Sequence, residues 1–305
     1  MKMNKKIFLT GILLLWGAVC LLAQPVAERC SHEYVSFQGM TREYWMYVPE
    51  NLPAGAPLMV ALHGYGGSAL KMKPGLIDLA QEKGFALCCG QGLLDPKGKP
   101  SWNCGYPGRH DGWEVDDVAY LEFLVHHLQA KYDLSPLNAF MVGMSNGGEM
   151  CYLMAQKKPG VFAAICSMAG LCLYNMLPIT YTAPVPFMEV HGTEDHTSEW
   201  CGDPENKGGW GSYLAVPTAI SYVVAAAKST YYSEEELPVK RHPVLLHKYL
   251  GGAPAWEGGP ETEVWLYEVK GGGHSWAEAD MDTFHEIWRF CSRYLRNSAF
   301  VSVWQ

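Results

Sequence analysis

Short apolar runs of strand length alternate along this chain with longer stretches of helical period. Leu58–Leu62, Phe85–Cys89, Ala139–Met144, Phe162–Met168, Val185–Val190 and Val264–Val269 read as buried strands. Between them, Ser68–Lys83, Glu114–Tyr132, Asn146–Lys158, Val216–Thr230 and Met281–Leu295 read as helices. The 114–132 segment repeats apolar residues at Val115, Val118, Leu121, Phe123, Leu124, Val125 and Leu128. It opens on Glu114, Asp116 and Asp117, the charge that a helix N-terminus favours. Pro74 and Gly75 weaken the first half of the 68–83 helix, and Pro159-Gly160 stops the 146–158 helix. The closing helix sets Phe284, Ile287, Trp288, Cys291 and Leu295 on one face. Ahead of these units, Glu33–Phe37 and Arg42–Val48 predict an antiparallel pair turned at Gly39, and 238–260 holds an extra strand around Val244–Leu250. The pattern predicts an α/β domain with a mainly parallel central sheet and helices on both faces. Its functional groups belong at the carboxyl ends of the strands. No repeat or linker divides residues 24–305, which read as a single catalytic domain.

Residues 1–23 stand apart. Lys2, Lys5 and Lys6 precede an apolar stretch, Ile7–Leu22, and Ala23 suits the last residue of a secretory signal. The mature chain is then expected to be secreted or periplasmic. Two other readings stay open: an uncleaved anchor, for which the apolar run is short, and a lipid anchor on Cys20, for which Val19 is bulky. Without residues 1–23 the chain loses three lysines and no acid, so its formal net charge moves from −8 to −11. That acidity argues against nucleic acid and other polyanions as partners. Cys30, Cys88, Cys89, Cys104, Cys151, Cys166, Cys172, Cys201 and Cys291 are odd in number and lack zinc-site spacing. At least one is expected to stay out of any intramolecular disulfide, and neither a metal nor a cofactor is expected. Cys88, Cys151 and Cys166 fall in apolar runs, as small buried hydrophobes do.

The chemistry concentrates at the predicted strand ends. Gly143-Met144-Ser145-Asn146-Gly147 joins a strand to a helix, the setting in which a G-x-S-x-G turn lifts a serine hydroxyl clear of the sheet. A serine needs a base, and the base needs an orienting acid. His274 follows the last core strand and Gly271-Gly272-Gly273, which let the loop fold back. His242 and His247 precede that strand, and His285 falls on the closing helix as a solvated residue. Asp195, in His191-Gly192-Thr193-Glu194-Asp195-His196, follows the strand 185–190; Glu194 is its neighbour and competitor, with Glu199 and Asp203 further out. The order Ser145, Asp195, His274 is that of the α/β-hydrolase fold. Two backbone N–H groups are expected to hold the oxyanion, Asn146 after the nucleophile and Tyr65 in His63-Gly64-Tyr65-Gly66-Gly67.

Together with Trp102-Asn103, Val115-Asp116-Asp117-Val118 and Gly272-Gly273-His274-Ser275-Trp276, these pieces resemble the polyhydroxybutyrate-depolymerase-like and feruloyl-esterase group. This is the carbohydrate-esterase family that also holds acetyl xylan esterases. The resemblance spans the chain after residue 23. It implies a serine ester hydrolase with Ser145, Asp195 and His274 as catalytic residues and Tyr65 and Asn146 as oxyanion donors. Members of the group typically carry a Cys-rich stretch after the Trp-Asn pair; here only Cys104 is present, followed by Gly105-Tyr106-Pro107-Gly108, so the group's local disulfide is expected to be absent or rerouted. Tyr65 sets an aromatic side chain at the acyl pocket.

Within that group, the aromatic content tilts the substrate towards feruloyl or acetyl esters on a polysaccharide such as xylan. Trp102, Trp210 and Trp276 fall in loops of the predicted active face and are expected to bind substrate, as aromatic faces stack on sugars and hydroxycinnamoyl groups. Trp113 and Trp200 lie in similar loops. A polyester depolymerase is the alternative, although no surface-binding module is visible. A carbohydrate-binding protein on an inactive scaffold is a third reading, against which all three catalytic positions are filled. A peptidase would carry a propeller or cap domain.

Overall fold

The structure is a computed structural model that describes residues 26–178 and 180–296; the expected signal segment lies outside the described residues. Ten strands form one sheet: β1 (Ser31–Phe37), β2 (Met40–Tyr47), β3 (Leu58–Leu62), β4 (Ala86–Gly90), β5 (Ala139–Met144), β6 (Ala164–Met168), β7 (Phe187–Gly192), β8 (Tyr231–Glu236), β9 (Val244–Leu250) and β10 (Val264–Val269). Their spatial order is β1-β2-β4-β3-β5-β6-β7-β10-β9-β8. The six central strands, β4 to β10 in that order, run parallel, and the pairs at both margins are antiparallel.

The helices α1 (Pro74–Lys83), α2 (Asp117–Lys131), α3 (Asn146–Lys157), α4 (Val216–Ala227) and α5 (Thr283–Cys291) cover both faces. In β3, Leu58, Val60 and Leu62 join the core beneath α2, α3 and α4, whereas Met59 and Ala61 join the core beneath α1 and α5. Every residue of β3 is buried. Burial on both faces is why the run is continuously apolar instead of alternating. Among the described residues no helix is long and apolar enough to cross a membrane.

Several predicted elements are corrected. The 68–83 helix begins only at Pro74, with one 3-10 turn, Ala69–Lys71, before it. Proline pre-sets the first helical residue and pushes the preceding Lys73 into extended backbone. In α2 the three acids do not act alike. Asp116 caps the helix by accepting from the Ala119 N–H at 2.9 Å, whereas Asp117 is buried in an ion pair with Arg42 at 2.6 Å. On the closing helix Phe290 is buried, as is Tyr294 in the 3-10 turn that follows, while Phe284 and Leu295 are only half-buried. Edge strand β8 escaped the sequence reading because its Tyr231-Tyr232-Ser233-Glu234-Glu235-Glu236 faces solvent; charge on an edge discourages further pairing. All nine cysteines in the described residues are free thiols, Cys104 included.

Candidate active site

Strands β5, β7 and β10 end at one edge of the sheet, and Ser145, Asp195 and His274 follow them. Ser145 has φ 54° and ψ −119°, a conformation L-residues avoid at a cost of about 1–3 kcal/mol. It is held there from both sides. Its N–H donates to the Met168 carbonyl at 2.8 Å, and its own carbonyl accepts from Glu149 at 2.9 Å. The turn is so tight that a Cβ on Gly143 would lie 2.0 Å from the Gly147 oxygen. A side chain there is incompatible with the elbow.

Because β7 and β10 are parallel neighbours, with Gly192 opposite Val269, their loops leave the sheet side by side. They are laced together by Glu194 N–H to Gly272 carbonyl at 2.9 Å and Gly271 N–H to Thr193 Oγ1 at 2.8 Å. This brings His274 Nδ1 to 2.7 Å from Asp195 Oδ2. Asp195 is buried, and its other oxygen accepts from Thr197 and Ser198 N–H, each at 2.8 Å. Burial would raise the carboxyl's pKa, but the His274 hydrogen bond and these backbone donors outweigh it and hold the group below its usual range. Asp195 is therefore an anion, His274 Nδ1 is its donor, and His274 Nε2 is left as the basic atom. Ser145 and His274 are not directly hydrogen-bonded in this structure. Met144 and His274 line the same cleft of about 810 Å³, together with Glu194, Arg241, His242 and Trp276. Such bonds commonly tighten only when substrate is bound.

The competing residues are placed elsewhere. Glu194 lies in the cleft wall, His242 pairs with Asp280 at 2.8 Å, and His247 pairs with Glu268 at 3.1 Å on the far sheet margin. His285 is exposed and bridges Asp282 and Glu82.

The two expected oxyanion donors flank the elbow. Asn146 N–H opens α3, where the first N–H groups have no intrahelical acceptor. A Cβ on Gly64 would sit 3.2 Å from Ser145 Cβ, so the loop after β3 runs against the nucleophile. His63, which the sequence reading left unassigned, aims that loop. Its Nδ1–H donates to the Gly64 carbonyl at 2.7 Å, and its Nε2 accepts from Gly92 N–H at 3.0 Å and Gln91 Nε2 at 3.1 Å. Burial lowers the pKa of His63, which keeps the ring neutral and able to accept. In a planar trans peptide the N–H points opposite the carbonyl. Tyr65 N–H therefore points away from His63.

The three tryptophans have different fates. Trp102 is fully buried and cannot stack on a ligand. Its indole N–H donates to the His63 carbonyl at 3.1 Å, and its backbone N–H donates to Asn146 Oδ1 at 2.8 Å. It braces the elbow, and the neighbouring Asn103 N–H donates to the buried Asp117 at 2.7 Å. Trp276 lines the cleft but is only 7% exposed. Trp210 is half-buried in an aromatic group with Tyr65 and Tyr106, and the Arg109 guanidinium lies 4.2 Å from its ring centre.

Glu149, one turn beyond Ser145, is fully buried and accepts from Tyr106 OH and Asn146 Nδ2. Burial pushes its carboxyl up to about 8, against the partial opposition of those two donors. A raised acid binds its proton more tightly in the folded state, so folding loses stability as pH rises from the usual carboxylate range to about 8. Each pH unit in that window is worth about 1.4 kcal/mol. Glu149→Gln is expected to flatten this decline and to melt higher than wild type at pH 8. Urea unfolding at pH 5 and pH 8 checks it, and parallel declines in the two proteins would refute it.

No protein-family model matches the chain. The NocK protein of Nocardia uniformis subsp. tsuyamanensis, named as an inferred esterase, is 29% identical over 179 residues, covering 56% of this chain and 51% of its own length. Poly(3-hydroxyalkanoate) depolymerase C of Paucimonas lemoignei is 25% identical over 300 residues, covering 90% of this chain and 68% of its own. Feruloyl esterase B of Neurospora crassa is 30% identical over 140 residues, covering 42% and 43%. The chain thus spans about half the length of the first of these relatives and less than half of the third. Among solved structures, an acetyl xylan esterase from Aspergillus awamori superposes with a TM-score of 0.58 at 14% identity, covering 86% of this chain and 99% of that one. The fold is the α/β-hydrolase fold, and in sequence the chain is similar to proteins named as esterases and as a polyhydroxyalkanoate depolymerase.

Proposed function

We propose that this chain, which shares its fold and sequence kinship with carboxylic ester hydrolases, is an exported serine esterase that removes feruloyl or acetyl groups from a plant polysaccharide such as xylan. The observation that carries the reading is the 2.7 Å hydrogen bond from His274 to the buried Asp195, at the sheet edge where the strained Ser145 stands. In the reaction, His274 Nε2 takes the Ser145 proton as Oγ attacks the ester carbonyl. Tyr65 and Asn146 N–H groups hold the oxyanion. Asp195 stabilises the imidazolium, which then protonates the leaving sugar oxygen as the C–O bond breaks. Water, deprotonated by His274, attacks the acyl-enzyme and releases the acid and free Ser145.

The polysaccharide reading draws on Tyr65, Tyr106 and Trp210, whose rings pack together beside the oxyanion loop, and on the two relatives named as feruloyl esterase and acetyl xylan esterase. A second reading, hydrolysis of hydroxyalkanoate oligomers, is favoured by the depolymerase relative matched over 90% of the chain. A binding protein on an inactive scaffold is disfavoured by the formed acid–histidine pair. Methyl ferulate, acetylated xylan and hydroxybutyrate oligomers assayed side by side decide the substrate. The expected outcome is at least about a tenfold preference in kcat/KM for one of the first two, the scale of about 1.4 kcal/mol in transition-state binding. A preference for the oligomers overturns it.

A further inference from the structure

Behind Asp195 lies a second, fully buried acid–histidine pair that the reaction above does not use. Glu189 and His191 sit on β7 with side chains on one face, two residues apart, and His191 Nδ1 is 2.9 Å from Glu189 Oε1. His191 Nε2 is 2.7 Å from the Ser198 carbonyl, which only accepts, so Nε2 carries a hydrogen. Ser198 is the residue whose N–H donates to Asp195 Oδ1. The same Nε2 lies 3.7 Å from Asp195 Oδ2, the oxygen that receives His274. Ser198 is thus gripped from both sides, and the turn that orients the acid is tied back to the sheet through one imidazole.

Resting on the proposed esterase reading, we propose that His191 is a positioning residue: its Nε2–H, kept in place by Glu189, clamps the 195–198 turn and so fixes the Asp195 carboxylate against His274. The Ser198 carbonyl fixes the hydrogen on Nε2, and Glu189 completes the pair in one of two ways: its carboxylate accepts from Nδ1–H of an imidazolium, or its carboxylic acid donates to Nδ1 of a neutral ring. The surroundings keep a proton on the pair. Burial raises Glu189, and the contact with Glu189 raises His191 despite its burial. The groups facing the pair are the Ser167 hydroxyl of β6 and Gly170 N–H, the latter 3.2 Å from Glu189, with Glu149, Cys151 and Tyr152 of α3 and Cys172 after β6 around it; Asp195 and the Trp200 ring lie on the His191 side.

The test compares His191→Leu, which fills the space without a donor, with His191→Gln and Glu189→Gln, which keep a donor facing Ser198. Two readouts are followed: hydrolysis of p-nitrophenyl acetate across pH, and the His274 imidazole titration by NMR. For His191→Leu, kcat is expected to fall by about 10- to 100-fold, by analogy with the loss seen when an outer-shell partner of a metal-bound histidine is removed, with KM unchanged within about twofold. With the turn released, Asp195 no longer sits fixed against His274 and the imidazolium loses part of its partner, so the acid limb and the NMR midpoint both move to lower pH. Glu189→Gln and His191→Gln are expected to stay within about threefold of wild-type kcat, so that donation and not the imidazole itself is what matters. A folded His191→Leu protein with wild-type kcat and an unmoved His274 midpoint overturns the inference. Should that variant not fold, a folded His191→Gln protein with more than a tenfold loss overturns it instead. The NMR midpoint does not depend on turnover. A shifted midpoint in a wild-type background without esterase activity would therefore sink the esterase reading and leave the clamp standing.

Discussion

Replacing Ser145 with alanine is expected to lower kcat for ester hydrolysis by about 10⁵- to 10⁶-fold, to the residual rate that an oxyanion site and substrate binding supply alone. The physical reason is that, of residues 143–147 in the elbow, Ser145 alone carries a hydroxyl or thiol that can accept the acyl group. The same change is expected to leave the fold intact. Ser145 is anchored through backbone atoms, its N–H to Met168 and its carbonyl to Glu149, and alanine keeps both bonds. Alanine also meets the same φ of 54°, so the strain is neither added nor relieved. The wild type should react with a fluorophosphonate at Ser145, and the variant should not. Wild-type turnover in Ser145→Ala, with an unchanged melting midpoint, would remove Ser145 from the reaction and with it the mechanism.

Ser145 was legible because its signal is local. Five consecutive residues, a strand before and a helix after them, specify the turn, and the same holds for Asp195 and His274 at the ends of their strands. The order of those strands in the sheet was accessible only as an expectation from the fold, since it depends on crossovers and not on any local pattern. Side-chain partners across the chain were not legible. Trp102 sits in a loop rich in Gly and Pro, which suggests an exposed aromatic, yet it is fully buried because Asn146, 44 positions away, receives its backbone N–H. Asp117 looks like an ordinary dipole-favoured acid at a helix start. Only the sheet brings Arg42, 75 positions away, against it. His191 and Glu189 could have drawn attention from sequence, as an acid and a histidine two positions apart in an otherwise apolar strand point to the same face. The misleading cue was position, since the glycine and acids that follow look more like active-site chemistry. The resemblance carried the fold, while the one cysteine after Trp102-Asn103, where the resembled group has a Cys-rich stretch, is packed as a thiol against the Asn146 carbonyl.

Asp195→Asn is expected to lower kcat by about 10⁴-fold while the protein stays folded. The hydrogen-bond inventory decides this. Asp195 Oδ1 accepts two backbone N–H groups, from Thr197 and Ser198, and an amide NH₂ cannot accept either. Asparagine must therefore keep its oxygen on that side and turn its NH₂ towards His274. His274 Nδ1 then becomes the acceptor, the ring proton moves to Nε2, and the atom facing Ser145 can no longer take a proton. The loss should fall on kcat with little change in KM, because the acid does not line the cleft. Stability carries a second signature. Hydrogen bonding holds the Asp195 carboxyl below its usual range, so its ionised form stabilises the fold above that range and loses the effect as pH falls through it. The stability gap between wild type and Asp195→Asn should therefore be full at pH 7 and shrink below about pH 4, the ordinary carboxylate value. Denaturant midpoints at pH 7 and pH 3, beside kcat for a p-nitrophenyl ester, measure both. Near-wild-type kcat in the variant would move the orienting role from Asp195 to its neighbour Glu194, which lines the same cleft as His274.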